Sequence, residues 1–390
     1  MEKISRVDLM FHLSQLEDPR AGENVRHQFI EILFISVCAI VSGCECWTEF
    51  EDYGNAKKDW LKGFLELKNG IPSHDTFRRV FCVLDFTAFQ KIFIQWTSEM
   101  RKKLKLKGDQ ICIDGKTLRG SLNEANAIKA IHMVNAWSTG ASISLGQIPT
   151  EEKSNEITAI PALLDLLDVR GCLVSIDAIG CQTAIVEKVK AKGGNFLLAL
   201  KENQKTLFDA TEELFRRSST NWSSKPRMGE FTEKELPSHG REEIRTCRAI
   251  YLDQDVGFFP HETWPDVKVV IRIESQRMKI SMGEVSNETR YYISDAEKTS
   301  ARAFNQKIRD HWEVENKLHW SLDVAMNEDG DKKWAEQSAK NFATLRLLAL
   351  NLLKKIEDKR GIKRKQKMAA MDNNYLLKVL FAGAAFKSYA

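Results

Sequence analysis

Two short apolar runs in this chain each end on an aspartate. Gln110-Ile-Cys-Ile leads into Asp114, and Cys172-Leu-Val-Ser-Ile leads into Asp177. Runs of this length and composition read as strands, so each delivers a carboxylate to a strand end. Carboxylates on neighbouring strand ends repel each other unless a cation lies between them. A hard divalent ion takes oxygen ligands and keeps several waters, so two or three carboxylates and a substrate phosphate complete its shell. A pair of such ions can activate an attacking hydroxyl and stabilise the leaving oxygen in an in-line displacement at phosphorus. Mg²⁺ is the expected ion, with Mn²⁺ able to substitute.

That chemistry needs a third acid, and the segment Ile308-Arg-Asp-His-Trp-Glu-Val-Glu-Asn-Lys-Leu-His-Trp320 offers candidates. At α-helical spacing His311, Glu315 and His319 share one face. Glu313 then points roughly 160–200° away and is expected in solvent. Leu318 and Leu322 form an adjoining apolar stripe. Glu315 is therefore the expected third ligand. His311 and His319, which flank it on the shared face, are candidate phosphate contacts, as are Lys116 and Arg119 just behind Asp114. Lys201, Lys205 and the basic end of the chain are expected to track a DNA backbone. Other readings of these residues stand beside this one. Asp114 before Gly115 also suits a turn, and a helical Glu is commonly exposed. Asp295, and more weakly Asp323, compete with Glu315. His311, Glu315 and His319 could together hold zinc, although no H-E-x-x-H pattern is present.

The elements that must position these residues follow from periodicity. Residues 8–100 are helical in pattern, with Ile30, Leu33, Phe34, Val37 and Val41 at helical spacing. Ser73 reads as the N-cap of a short helix carrying Arg78 and Arg79, a helix that could enter a DNA groove or present a solvated basic face. From Asp109 the texture changes. Ile131–Trp137 and Ala141–Ile148 read as strands joined by a turn at Ser138-Thr-Gly140. Ser154-Asn155 caps an amphipathic helix. After the Asp177 strand come a helix over 183–190, a break at Gly193-Gly194, a strand over 195–200 and a helix over 204–215. Three strands, helix, strand, helix, strand, helix is the order of a ribonuclease H-like mixed sheet with helices on its faces. In that order the first and fourth strands are neighbours, so Asp114 and Asp177 meet although 177 − 114 = 63 residues separate them. A β-rich insertion is expected over 217–295, with strands at 244–251, 267–274 and 291–294. Helices resume from Ala301.

The expected organisation is thus a helical N-terminal domain over 1–105, an α/β catalytic domain over 106–353 carrying the insertion, and a basic C-terminal tail over 354–390. Eight Lys or Arg and two acids fall between Lys354 and Lys367, while the whole chain of 390 residues carries only +4. Such a segment suggests an acidic partner such as DNA. Eight cysteines without a CxxC pair, several inside apolar runs, suit reduced thiols in a cytoplasmic protein. Cys44-Glu-Cys46 is at most a faint metal signal. The longest apolar stretch, Phe29 to Val41, is interrupted by Glu31 and is too short to span a bilayer. No membrane partner is expected.

The motifs taken together resemble the H-repeat-associated family of insertion-sequence DDE transposases of bacteria. The resemblance rests on Ile113-Asp-Gly-Lys-Thr-Leu-Arg-Gly120, Glu152-Lys-Ser-Asn-Glu-Ile157, Ile176-Asp-Ala178 with Gln182, Lys192-Gly-Gly194, Leu198-Ala-Leu-Lys-Glu-Asn-Gln204, His239-Gly-Arg241, His311-Trp-x-Val-Glu-Asn316 and Leu318-His-Trp-x-Leu-Asp323. It implies a ribonuclease H-like core, Mg²⁺ dependence, and the Asp-Asp-Glu ligands Asp114, Asp177 and Glu315. It also implies double-stranded DNA partners, namely terminal inverted repeats and target DNA, with a second copy of the chain as a candidate partner in a synaptic complex. The activity implied is cleavage at the element's ends and joining of the freed 3′-OH to target DNA. A nuclease or junction resolvase that does not join, and a decayed copy that only binds DNA, are the alternatives. Wider relatives carry a Tyr-x-x-Arg-x-x-x-Glu-x-x-x-x-x-x-Lys signature; here Ile308, His311 and Leu322 stand at the Tyr, Arg and Lys positions. His311, Lys317 or His319 would have to take those phosphate roles.

Overall fold

The computed structural model describes residues 8–21, 25–106, 108–122, 129–150, 155–219, 226–238, 241–253, 256–279, 283–330, 332 and 336–382. Ser154, most of the Glu152-to-Ile157 motif, and His239-Gly240 lie outside the described residues. By internal contacts the chain forms two compact units. One comprises 1–106, 115–155 and 315–390; the other comprises 107–114 and 156–314. The chain passes between them after Leu106, Asp114, Asn155 and Val314. The helical N-terminal segment is therefore part of a larger unit.

In the first unit, helices Phe29–Val41, Trp47–Ala56, His74–Val83 and Phe86–Lys103 surround helix Glu336–Lys355. Phe342 from that helix lies 4.8 Å from the ring of Trp47 and 5.6 Å from that of Phe50. A helix buried on all sides must satisfy its polar side chains internally. Asn341 Nδ2 donates to the carbonyls of Phe81 and Leu84. Asn351 clasps Ser144, accepting from its N–H and donating to its C=O, both at 2.9 Å. Glu31, the charge that interrupts the first apolar helix, is buried and accepts from the Leu67 N–H at 2.7 Å.

The expected hairpin is present as β2 (Ile131–Ser138) and β3 (Ile143–Thr150), beside the later part of β1 (Gln110–Leu118). The segment beyond 353, read as a tail, is folded: helices Ile362–Met371 and Asn373–Leu380 pack into this unit. Lys365 is buried there, its ammonium donating to the carbonyls of Leu353 and Ile356 at 3.0 Å, where it closes the C-terminus of the long helix. A charge that looked free for DNA is thus spent on a helix end. Arg364 and Lys367 stay exposed. Ser73 caps the helix of paired arginines as expected, and Asp75 pairs with both Arg78 and Arg79.

In the second unit β1 is followed across the sheet by β4 (Leu173–Ile176), β5 (Asn195–Leu200), β9 (Glu284–Ser294), β8 (Val269–Lys279), β7 (Arg241–Tyr251) and β6 (Met228–Ser238). The mixed sheet is as expected: β1, β4 and β5 are parallel, and β9 joins β5 antiparallel. The insertion does not form a separate sheet. Its four antiparallel strands continue the ribonuclease H-like sheet through Leu197↔Ser294 to Leu200↔Tyr291. Helix Ala301–His311 covers one face, where Phe304 and Ile308 pack with Leu173, Leu197, Cys247, Ile271 and Tyr292. The helix break at the glycine pair is confirmed, with Gly193 in the left-handed region at φ +71° that glycine alone adopts freely. No helix among the described residues is long and apolar enough to cross a membrane.

Candidate active site

The site is built first from register. β1 and β4 pair in parallel from Gln110↔Leu173 through Ile113↔Ile176. Asp114 and Asp177 are the next residues on these two adjacent strands. β1 does not stop at Asp114, as the turn-like Asp-Gly suggested, but continues to Leu118. Period-two alternation sets Asp114 on the face of Gln110 and Cys112, and Asp177 on the face of Leu173 and Ser175. Both carboxylates therefore belong to the face that helix Ala301–His311 covers.

A polar network fixes that helix to the two strands. Gln110 Nε2 donates to the Lys307 carbonyl at 2.8 Å and to Ser175 Oγ at 2.9 Å. Ser175 Oγ lies 3.0 Å from His311 Nδ1. Burial holds the His311 imidazole down to about 4, so it is neutral at physiological pH. His311 thus orients a helix from within the fold, and the expectation that it contacts phosphate is corrected.

Asp177 is half-buried and its Oδ1 accepts from the Ile179 N–H at 3.2 Å, capping the turn Ala178–Gly180. The turn is tight: a β-carbon at Gly180 would collide with Ile176. Asn203 donates to the Ala178 carbonyl at 2.8 Å and Gln204 to the Cys181 carbonyl at 2.9 Å. The Lys-Glu-Asn-Gln motif therefore clasps the loop that presents Asp177. Burial raises the Asp177 carboxyl's proton affinity, and the charge of Glu156 raises it further; Lys201 and backbone N–H groups act the other way. Glu156 is buried at the start of helix Glu156–Leu166, which packs on the same turn. It lies within the Glu152-to-Ile157 motif. Its signal, an acid in an otherwise apolar first turn, is indistinguishable in sequence from an ordinary helix-start acid. Lys201 remains exposed, while Lys205 is paired with Asp209 one turn along its helix.

The third acid stands in a different setting. α-Helical winding ends at His311, and Val314–His319 and Ser321–Ala325 wind as π-helix. Four-residue neighbours stay on one side in either winding, yet Glu315 is exposed while His319 is buried and His311 half-buried, so the three do not share one setting. Among the described residues these three do not gather into a metal-holding group, and the zinc reading falls. Glu315 is exposed and Glu313 half-buried, the reverse of expectation. Lys317 is exposed. His319 is buried, and burial first, then the charge of Lys116, pushes its imidazole to about 3. A neutral, enclosed imidazole does not serve as a phosphate cation.

Lys116 is also enclosed. Its ammonium lies 2.7 Å from Asp323, 2.9 Å from Glu328 and 3.4 Å from Asp329. Burial works against its charge, but Glu328 and Asp323 outweigh this and hold the lysine above its ordinary value. The expected phosphate contact is instead committed to three carboxylates. Arg119 is 80% exposed and only loosely near Asp329, so it keeps its charge for solvent or a ligand. Asp295 is buried against the Phe196 N–H and Lys190, a structural role that removes it as a competing ligand. Among the described residues no group of three or more His, Cys, Asp or Glu side chains is placed to hold a metal ion. Cys44 and Cys46 belong to no such group either.

The transposase DDE domain family matches residues 105–352, and its associated N-terminal family, DDE_Tnp_1-associated, matches residues 10–97. The chain belongs to the DDE transposases. It is 42% identical to the "H repeat-associated putative transposase YhhI" of Escherichia coli K12, over 95% of this chain and 97% of that one. It is 40% identical to the "Putative transposase YncI" of Escherichia coli O157:H7, over 95% and 94%. A stretch covering 18% of the chain is 43% identical to the "Inactive transposase YbfQ" of Escherichia coli K12, over 86% of that one. The mixed sheet is the ribonuclease H-like core of this family.

Proposed function

We propose that this chain cleaves DNA at the ends of an insertion sequence and joins the freed 3′-OH to target DNA. The observation that carries the reading is the β1–β4 register, which makes Asp114 and Asp177 successive to paired residues on adjacent parallel strands and assigns them to one face. Half-buried carboxylates on such a pair, with Glu156 close enough to raise the proton affinity of Asp177, form a donor set that a divalent cation relieves. Asp114 and Asp177 would hold Mg²⁺, or Mn²⁺ in its place, with Glu315 as the third carboxylate. The ion supplies Lewis acidity at the scissile phosphate and at the attacking oxygen.

The chain's own residues do the rest. The Gln110–Ser175–His311 network fixes the strands to the helix that leads to Glu315. Asn203 and Gln204 hold the Asp177 loop. Lys201, Arg119 and Lys317, whose side chains are exposed, contact phosphates of double-stranded DNA, as does the exposed basic face of helix Ile362–Met371. Water attacks the phosphodiester in line and leaves a 3′-OH, which attacks target DNA in a second displacement. Two copies pair the element ends. The setting is the bacterial cytoplasm, at the nucleoid.

The test is nicking and strand transfer on a terminal-repeat duplex with and without Mg²⁺. Metal-dependent nicking with joined products supports the proposal. Nicking without joining favours a nuclease or resolvase, and tight binding without nicking favours a DNA-binding remnant. Full activity of Asp114→Asn and Asp177→Asn rejects the assignment.

A further inference from the structure

Lys116 poses a question that the transposase reading does not answer. It lies two residues after Asp114, in the most basic part of its motif, yet its side chain is 7% exposed and faces three acids. Its partners come from a segment beginning eight residues beyond Glu315. Asp323 lies within the second π-helical stretch, and Glu328 and Asp329 follow it. Glu328 is itself 3% exposed. Taking a lysine and a carboxylate out of water is costly unless both are paired, and breaking such a pair leaves a charge stranded. The arrangement is therefore sensitive to the loss of either side.

The π-wound stretch needs such an anchor. π-Helical turns are rare and are kept where surrounding structure compels them. Here Leu318, Leu322, Ala325 and Met326 are buried, and Arg346 donates to the Met326 carbonyl. The Lys116 cluster adds the ionic tie, joining this stretch to β1. Winding determines where Glu315 points, because a return to α-helical turns would rotate it relative to Asp323.

We propose that Lys116 is a positioning residue that clamps the π-wound segment to β1 and so sets the direction of Glu315. The clamp rests on the reading of Glu315 as a ligand only for its effect on catalysis; the structural tie stands without it. Removing the lysine frees the segment, and removing Glu328 or Asp323 does the same from the other side.

The test uses the full chain and compares wild type with Lys116→Met, Glu328→Gln, Asp323→Asn and the Lys116→Met/Glu328→Gln double variant. Hydrogen exchange by mass spectrometry is read over 314–329, alongside nicking of a terminal-repeat duplex. Lys116→Met should speed exchange in that segment about ten-fold and lower kcat for nicking roughly a hundred-fold, while KM for DNA moves less than about three-fold. Glu328→Gln and Asp323→Asn should show the same pattern more weakly. The double variant should be milder than the product of its singles, because the two groups share one interaction. If Lys116→Met melts the whole chain, the two acid variants carry the test through their local exchange. Unchanged exchange with a raised KM for DNA would show that the lysine serves phosphate and would overturn the clamp. Acid variants without effect on exchange would overturn it equally. A wild type that does not nick defeats the transposase reading, whereas the exchange measurement still decides the clamp.

Discussion

The two aspartates and the glutamate are held by different physics. Asp114 and Asp177 are set by a backbone ladder: once Ile113 pairs with Ile176, the next residue of each strand has its place and face. Glu315 is set by side chains and winding. Its upstream helix is tied through His311 to Ser175, and the stretch after it is tied through Lys116 to Asp323 and Glu328. A ladder tolerates many sequences, because every residue supplies the same hydrogen-bonding groups. A π-wound helix on a buried ion cluster depends on a few particular residues. The strand pair is therefore the robust half of the site and the helix the adjustable half.

The largest effect is expected at the strand pair. Asp114→Asn or Asp177→Asn should lower nicking of a terminal-repeat duplex by about a thousand-fold or more, with the fold intact by circular dichroism. Loss of activity from one but not the other would separate residues that the ladder treats as equivalent.

Next in size is the effect of pH on the helix side. The folded His311 stays neutral down to about 4, whereas an unfolded histidine takes up its proton near 6.5. Its contribution to stability is complete above pH 6.5, declines as pH falls from there, and is gone below about 4. The full span is on the order of 3 kcal/mol. Urea denaturation from pH 7 to 4 should show this slope, and His311→Asn should flatten it.

A third test sharpens the choice of ligand on the helix. Glu315→Gln should lower nicking by about a hundred-fold and Glu313→Gln by less than about ten-fold. The reverse order would transfer the third-ligand role to Glu313. The smallest effect is expected at Arg119. It is 80% exposed and loosely paired, so Arg119→Ala should change stability by no more than about 0.5 kcal/mol. A measurable loss of DNA affinity would then report a phosphate contact.

Most of the strand half was legible in the sequence. Apolar runs at 110–113 and 173–176, the hairpin and the Gly193 break follow from periods and turn chemistry that act locally. Their order then made the pairing of the first and fourth strands predictable. The insertion's first strand, Met228–Ser238, was missed because Glu230, Glu233, Lys234 and Glu235 hide the alternation. That it extends the sheet is a tertiary fact that no local pattern carries. The helix half was less legible because spacing gives a side chain's face but not its burial: Glu315 is exposed and His319 buried although four residues separate them. Lys116, His319 and Lys365 looked like surface cations or contacts because burial of a charge depends on partners distant in the chain. Glu328 lies 212 residues from Lys116, and only the fold brings them together.

The proposed site requires that Asp114 and Asp177 hold one divalent ion between them. Fe²⁺ bound in place of Mg²⁺ and supplied with hydrogen peroxide and ascorbate generates hydroxyl radicals that cut the backbone beside it, and mass spectrometry locates the cuts. Cuts are expected to cluster near 114 and near 177, both suppressed by Mg²⁺ and both lost in Asp114→Asn and in Asp177→Asn. Cuts at only one of these positions, or cuts that persist in either variant, would contradict it.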